Sequence, residues 1–103
     1  MARVVVEPAG IEFEALPGES VMEAAERAGY YWPVGCDRIG ECTNCAMEVV
    51  SGIARVTPMG RYERKNLIRQ RGTLAATDVR LRLACQARVQ GDLVVYKRGV
   101  ALR

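Results

Sequence analysis

The stretch CDRIGECTNC, residues 36–45, holds three of the four cysteines of this 103-residue chain. Five residues separate Cys36 from Cys42, two separate Cys42 from Cys45, and Cys85 stands alone forty positions further on. The short Cys42–Cys45 spacing lets two thiols converge locally, and a distant fourth thiol can complete a ligand set. The pattern predicts a fold that joins Cys85 to this loop.

Four thiolates suit iron bound to sulfide, which prefers soft, anionic, tetrahedral ligands. Two irons need four thiolates, and the chain has four cysteines. Gly40 lies inside the loop, where the backbone must pass close to such a cluster. We therefore predict that one 2Fe-2S cluster is bound by Cys36, Cys42, Cys45 and Cys85.

The chain has no histidine, which excludes a Rieske cluster, a mixed Cys/His zinc finger and a Cys–His nucleophile pair. A zinc site with four thiolates stays open as an alternative, although such sites usually pair two C-x₂₋₄-C units. A thioredoxin-like role for Cys42 and Cys45 leaves Cys36 and Cys85 unexplained. Two disulfides would suit a secreted chain.

The length of 103 residues indicates one domain over residues 1–103. Half of the residues are apolar and 26% are charged, which is typical of a soluble globular protein. No apolar run approaches the ~18 residues of a membrane span. The first residues show neither the apolar region nor the cleavage pattern of a signal peptide. We expect a cytoplasmic protein without a membrane partner, in which thiols bind metal more readily than they form disulfides.

Two strands and a helix are predicted before the cysteine loop. Residues 3–7 are rich in valine and predict a strand buried on both faces, and residues 11–15 alternate like a half-buried strand, so the pair predicts a hairpin. Ser20 and Glu23 predict a capping box at a helix start, and Gly29 predicts its end. The aromatic residues that follow are predicted to pack in the core beside the loop, and they are Tyr30, Tyr31 and Trp32.

Three strands are predicted after the loop, at residues 46–50, 80–89 and 93–96. A polar helix is predicted at residues 62–71, followed by a loop at about 73–78. In the predicted strand at 80–89, the inward face carries Leu81, Leu83, Cys85, Ala87 and Val89. The outward face carries Arg80, Arg82, Gln86 and Arg88. This order of elements predicts an α+β fold of the β-grasp type. Such a fold has a mixed sheet, one main helix packed across it and a second short helix.

The loop at 36–45, Val-Val-Ser-Gly at 49–52 and RLACQARVQGDL at 82–93 together resemble a 2Fe-2S ferredoxin over nearly the whole chain. The five-residue first gap is similar to the adrenodoxin-like branch and to bacterial domains whose loop reads Cys-Gly-Gly-x-Gly-x-Cys. The resemblance implies a β-grasp fold with one 2Fe-2S cluster. It also implies a one-electron carrier, not an enzyme, that links a flavoprotein reductase to an oxygenase, a cytochrome P450 or another redox enzyme.

Two other functions stay open: a 2Fe-2S protein that senses for or reactivates an iron enzyme, and an interaction module stabilised by zinc. The sequence contains no motif that separates these functions from electron transport. Colour would separate zinc from iron, because an oxidised 2Fe-2S protein is red-brown.

Charge is divided unevenly along the chain. Residues 1–50 carry nine acidic and three basic side chains, whereas residues 51–103 carry twelve basic and three acidic ones. Adrenodoxin-like proteins present an acidic helix after the cluster loop, but the matching segment here is basic. It is either a solvated helix face or a surface that steers docking onto an acidic partner. The docking hypothesis rests on Arg61, Arg64, Lys65, Arg69 and Arg71. Nucleic-acid binding is disfavoured because no recognition motif is present, and we expect a monomer.

Overall fold

A computed structural model describes residues 2–33, 45–72 and 80–102. Cys36, Cys42, Gly40 and the predicted loop at 73–78 lie outside the described residues. The elements in chain order are β1 (Ala2–Glu7), β2 (Ile11–Ala15), α1 (Val21–Arg27), β3 (Tyr30–Tyr31), β4 (Ala46–Ser51), a 3₁₀ turn (Ile53–Arg55), α2 (Arg61–Arg71), β5 (Leu81–Leu83), β6 (Leu93–Tyr96) and β7 (Ala101–Leu102). No helix in these ranges is long and apolar enough to cross a membrane.

Five of the strands form a mixed sheet in the order β2-β1-β6-β4-β5. The central pair β1·β6 is parallel, and the other three pairs are antiparallel. Val4 and Val6 of β1 are buried, as are Leu93 and Val95 of β6, so alternate positions of these strands face one core. Val5 is only partly buried, so the prediction of a first strand buried on both faces was wrong. The mixed sheet predicted from the sequence is confirmed.

Helix α1 begins with the predicted capping box. The Ser20 hydroxyl accepts the Glu23 amide at 3.1 Å, and the Glu23 carboxylate accepts the Ser20 amide at 2.9 Å. The helix ends before Gly29, whose φ of 93° suits glycine. Its buried side chains pack into the core, and they are Val21, Met22, Ala24 and Ala25. Local sequence signals therefore specify both ends of α1.

Helix α2 is confirmed with 11 residues, which makes it longer than the seven-residue α1. Glu63, Asn66 and Leu67 are buried, while the five basic residues of the docking hypothesis are exposed. The helix thus attaches to the core through a narrow stripe. Its basic side chains face solvent.

The predicted strand at 80–89 was wrong in its length and in the orientation of Arg82. Strand β5 ends at Leu83, a turn follows over residues 84–86, and the strand pattern resumes only as single bridges at Arg88 and Val89. Arg82 is buried instead of facing outward. Alternation cannot anticipate this burial, because the partner of Arg82 comes from α2 and not from a neighbouring position of the strand.

A second, two-stranded sheet was not predicted. Strand β3 pairs with β7 in antiparallel fashion, with Tyr30 opposite Leu102 and Tyr31 opposite Ala101. Each strand contains only two residues, so neither has enough alternation to reveal it in the sequence.

Candidate iron–sulfur centre

Cys45 immediately precedes β4 and is fully buried. The antiparallel pairing of β4 with β5 sets Ala46 opposite Leu83, so the residues just beyond this pair also meet. The Ala84 amide approaches the Cys45 carbonyl at 3.4 Å, and the sulfur atoms of Cys45 and Cys85 lie 3.3 Å apart. Sheet pairing therefore joins two thiols that are forty positions apart in sequence.

The distance between these sulfur atoms fits shared metal ligation. A disulfide would need about 2.05 Å, so these two sulfur atoms are not bonded to each other. Two thiolates on one tetrahedral metal, each about 2.3 Å from it as in zinc–thiolate sites, lie roughly 3.8 Å apart. The observed 3.3 Å is about 0.5 Å shorter than that value and well beyond a disulfide bond. The donor set present at this point therefore fits one metal atom of a thiolate-bound cluster.

The surroundings of Cys45 favour its thiolate form. The hydrogen bond with Cys85 has the largest effect, and backbone hydrogen bonds from Cys85 and Ala84 and the positive charge of Lys97 act in the same direction. Burial opposes them, and together they lower the pKa of the Cys45 thiol from 9.0 to about 7. Because metal ligation requires the thiolate, these contacts prepare Cys45 for it.

Cys85 lies in the turn after β5 and is partly buried. The amides of Gln86 and Ala87 both donate to the Leu83 carbonyl, at 2.9 and 2.8 Å. The sequence placed Cys85 on the inward face of a continuous strand. The side chain does pack against the core, but the continuous strand was wrong, because Cys85 lies in a turn. The turn brings part of this side chain towards the surface. Its sulfur also accepts a long contact of 3.6 Å from the Gln86 side-chain amide, which the sequence did not reveal.

Helix α1 anchors the turn that carries Cys85. The amides of Val21 and Met22 have no partner within the helix at its first turn. They donate instead to the carbonyls of Ala87 and Ala84, each at 3.1 Å. Ala84 and Ala87 are fully buried, and their small side chains permit this close approach. The fourth predicted ligand is thus flanked on both sides by anchored backbone.

Trp32 holds the backbone of Cys45, the last cysteine of the loop. Its side chain is fully buried, and its indole N–H donates to the Cys45 carbonyl at 3.2 Å. The predicted core position of Trp32 is confirmed, and its contact is with Cys45. Tyr30 is partly buried, with its ring 6.1 Å from that of Phe13. For Tyr31 the core prediction was wrong, because this side chain is 46% exposed.

Comparison with known proteins supports the same chemistry. Residues 4–90 match the profile of the 2Fe-2S iron-sulfur cluster binding domain. The chain belongs to the 2Fe-2S ferredoxin family. A relative from Aquifex aeolicus, 2Fe-2S ferredoxin-5, is 32% identical over 98 residues, which cover 93% of this chain and 98% of the relative. The predictions of a ferredoxin-type electron carrier with a single 2Fe-2S cluster are confirmed, and the match favours iron over the zinc alternative.

Solved structures of the family confirm the β-grasp fold. The ISC-like [2Fe-2S] ferredoxin FdxB from Pseudomonas putida superposes with a TM-score of 0.74 at 23% identity, covering 100% of this chain and 97% of that one. The Amycolatopsis cytochrome P450 reductase GcoB superposes with a TM-score of 0.74 at 31% identity. That comparison covers the whole chain, which spans only 28% of the length of the reductase.

Proposed function

We propose that this ferredoxin-family chain passes single electrons from a flavoprotein reductase to an oxygenase, a cytochrome P450 or another redox enzyme. The proposed ligands are Cys36, Cys42, Cys45 and Cys85. The observation that carries the proposal is the 3.3 Å approach of the Cys45 and Cys85 sulfurs within a β-grasp sheet. The P450 reductase with a matching region supports the choice of partners.

The protein contributes position and environment, while the bound cluster supplies the one-electron chemistry. Burial of Cys45 keeps water from one ligand, and the indole of Trp32 and the turn at Ala84 hold its backbone. Partial exposure of Cys85 leaves a second ligand near the surface, where a redox partner can approach. A carrier needs both properties, so we propose a carrier without catalytic activity of its own.

Helix α2 is the proposed docking surface. Its basic side chains project from a helix that is anchored through buried Leu67, and Tyr62 and Ile68 add apolar surface that is 47% and 37% exposed. An apolar centre with a charged rim is the usual composition of a transient interface. Positive charge would steer an acidic partner face towards it.

Spectroscopy of the purified protein tests the carrier proposal. We expect two irons and two sulfides per chain, visible charge-transfer bands, and an EPR signal after uptake of one electron. With NADPH and a purified flavoprotein reductase, the protein should support many turnovers of an electron acceptor. A colourless, zinc-loaded native protein would contradict the proposal, and reduction limited to a single turnover would favour a reactivating role.

Ionic strength tests the docking surface. Arg64→Gln should slow reduction by the reductase severalfold at low salt, and the difference should vanish at high salt, where charges are screened. Arg3→Gln removes the same charge from an exposed position in β1 and serves as the control. A rate that is indifferent to salt, or equal effects of the two variants, would refute steering by α2.

We also propose that residues 1–103 form a single domain that acts as a monomer in the cytoplasm. The radius of gyration of 12.3 Å agrees with the ~13 Å of one compact domain of this length. Size-exclusion chromatography of the holoprotein and cell fractionation test these points.

A further inference from the structure

Lys97 follows β6 directly and continues its pairing with β1, because its amide donates to the Glu7 carbonyl at 2.9 Å. Side chains of β6 alternate between the buried face, with Leu93 and Val95, and the more exposed face, with Val94 and Tyr96. Lys97 falls in the phase of the buried face and is itself partly buried. The strand therefore directs a lysine side chain towards the core at the end of the sheet.

That end of the sheet contains Cys45. In the antiparallel pair β4·β6, Glu48 lies opposite Tyr96 and Val49 opposite Val95, so Lys97 continues towards the start of β4. Burial, attraction to Cys45 and repulsion from Arg71 act on Lys97 in that order, with a net lowering of its pKa. The fold thus brings Lys97 near Cys45 and brings Arg71, from the last turn of α2, near Lys97.

Such an arrangement is costly unless negative charge is present. Removing an ammonium group from water is unfavourable without a partner, and a second cation nearby adds repulsion. A thiolate at Cys45 supplies negative charge near Lys97. Each electron that the protein accepts adds one more negative charge at the same place.

We propose that Lys97 is a positioning residue for electron transfer, whose fixed positive charge beside Cys45 raises the reduction potential of the cluster. The inference rests on the proposed carrier function. A cation near the cluster stabilises the reduced form more than the oxidised form, because the reduced form carries one additional negative charge. The partly buried position of Lys97 limits the screening by salt that weakens exposed charges.

Potentiometric titration of the holoprotein, followed by visible absorption and EPR, tests the proposal. At the wild-type midpoint, Lys97→Met should lower the ratio of reduced to oxidised protein about three- to tenfold; tenfold in this one-electron ratio corresponds to 59 mV. Lys97→Arg keeps the charge and should restore most of the wild-type ratio. Arg98→Gln is the matched control, because Arg98 is exposed and its guanidinium binds the Tyr96 hydroxyl at 3.0 Å. Arg98→Gln should change the ratio of reduced to oxidised protein by less than about twofold.

An unchanged midpoint in Lys97→Met, with the wild-type visible spectrum, would overturn the inference. An equal fall in the ratio of reduced to oxidised protein in Lys97→Arg would also overturn the inference, because packing rather than charge would then be responsible. If Lys97→Met loses its cluster, Lys97→Gln repeats the test, and cluster loss in both neutral variants would overturn the inference by assigning Lys97 to cluster assembly. Failure of the wild-type protein to show any reversible one-electron couple would instead refute the carrier function.

Discussion

Glu63 of α2 and Arg82 of β5 form a buried, bidentate ion pair. The Arg82 Nε and Nη2 atoms lie 2.8 and 3.0 Å from the two Glu63 carboxylate oxygens, and both residues are 3% exposed. The carboxylate also accepts the Leu83 amide at 2.8 Å, and Arg82 donates to the Thr57 carbonyl at 2.6 Å. The pair therefore ties the basic helix to the strand that leads into Cys85.

Removal of one partner of this pair should destabilise the protein strongly. Glu63→Gln leaves the Arg82 charge buried without its counterion, and we expect a loss of about 3–5 kcal/mol in the free energy of unfolding. Urea unfolding followed by far-UV circular dichroism measures it. The control is Glu12→Gln, which disrupts the exposed 4.0 Å pair with Arg3 and should cost less than about 1 kcal/mol. Similar losses in the two variants would show that burial adds nothing to the pair.

Cluster binding should depend on both described cysteines. Cys45→Ser and Cys85→Ser each replace a thiolate by a much weaker ligand, so we expect fewer than two irons per chain and loss of the visible bands. Gln86→Ala is the control, because it removes only the 3.6 Å contact to the Cys85 sulfur. We expect that variant to retain its cluster. A Cys85→Ser protein with full iron content and an unchanged spectrum would exclude Cys85 as a ligand.

Gly52 should tolerate alanine less well than Gly10 does. Both glycines have positive φ, 91° and 71°, so alanine strains the backbone at each site. At Gly52 the added Cβ would also lie 2.6 Å from the Asp92 carbonyl oxygen, whereas at Gly10 it meets open space. We expect Gly10→Ala to cost about 1 kcal/mol and Gly52→Ala at least about 2 kcal/mol. Thermal and urea unfolding compare them, and equal costs would rule out the steric contribution.

Arg27 should stabilise the fold more at pH values where Glu19 is ionised than in acid, where its 2.9 Å hydrogen bond to the Glu14 carbonyl remains. Two hydrogen bonds of 3.0 Å from Arg27 lower the pKa of the Glu19 carboxyl below its ordinary 4.5. A pKa lowered in the folded state adds stability that is present above the ordinary pKa and lost as the pH falls through the lowered one. The melting temperature of Arg27→Gln should therefore lie below that of the wild type at pH 7, and the gap should narrow in acid. A gap that is constant with pH would assign the effect of Arg27 to packing.

Much of the fold could be predicted from short-range patterns. Alternation identified β2 and β6, the Ser20–Glu23 capping box and Gly29 identified both ends of α1, and the cysteine spacing identified the cluster. Apart from the distant Cys85, each of these signals depends on residues a few positions apart, where local backbone geometry determines which side chains lie close together.

The surroundings of the site could not be predicted in this way. The buried pair of Glu63 and Arg82, the approach of Lys97 to Cys45 and the hydrogen bonds from α1 to the turn that carries Cys85 join residues that are 19 to 66 positions apart in the chain. Such contacts depend on which strands are neighbours and which helix packs on them. Hydrophobic periodicity in the sequence predicts neither of these arrangements. The sequence by itself determined the ligand type and most of the elements. Only the tertiary structure decided which charges and amides surround those ligands, because sheet order and helix packing bring them together.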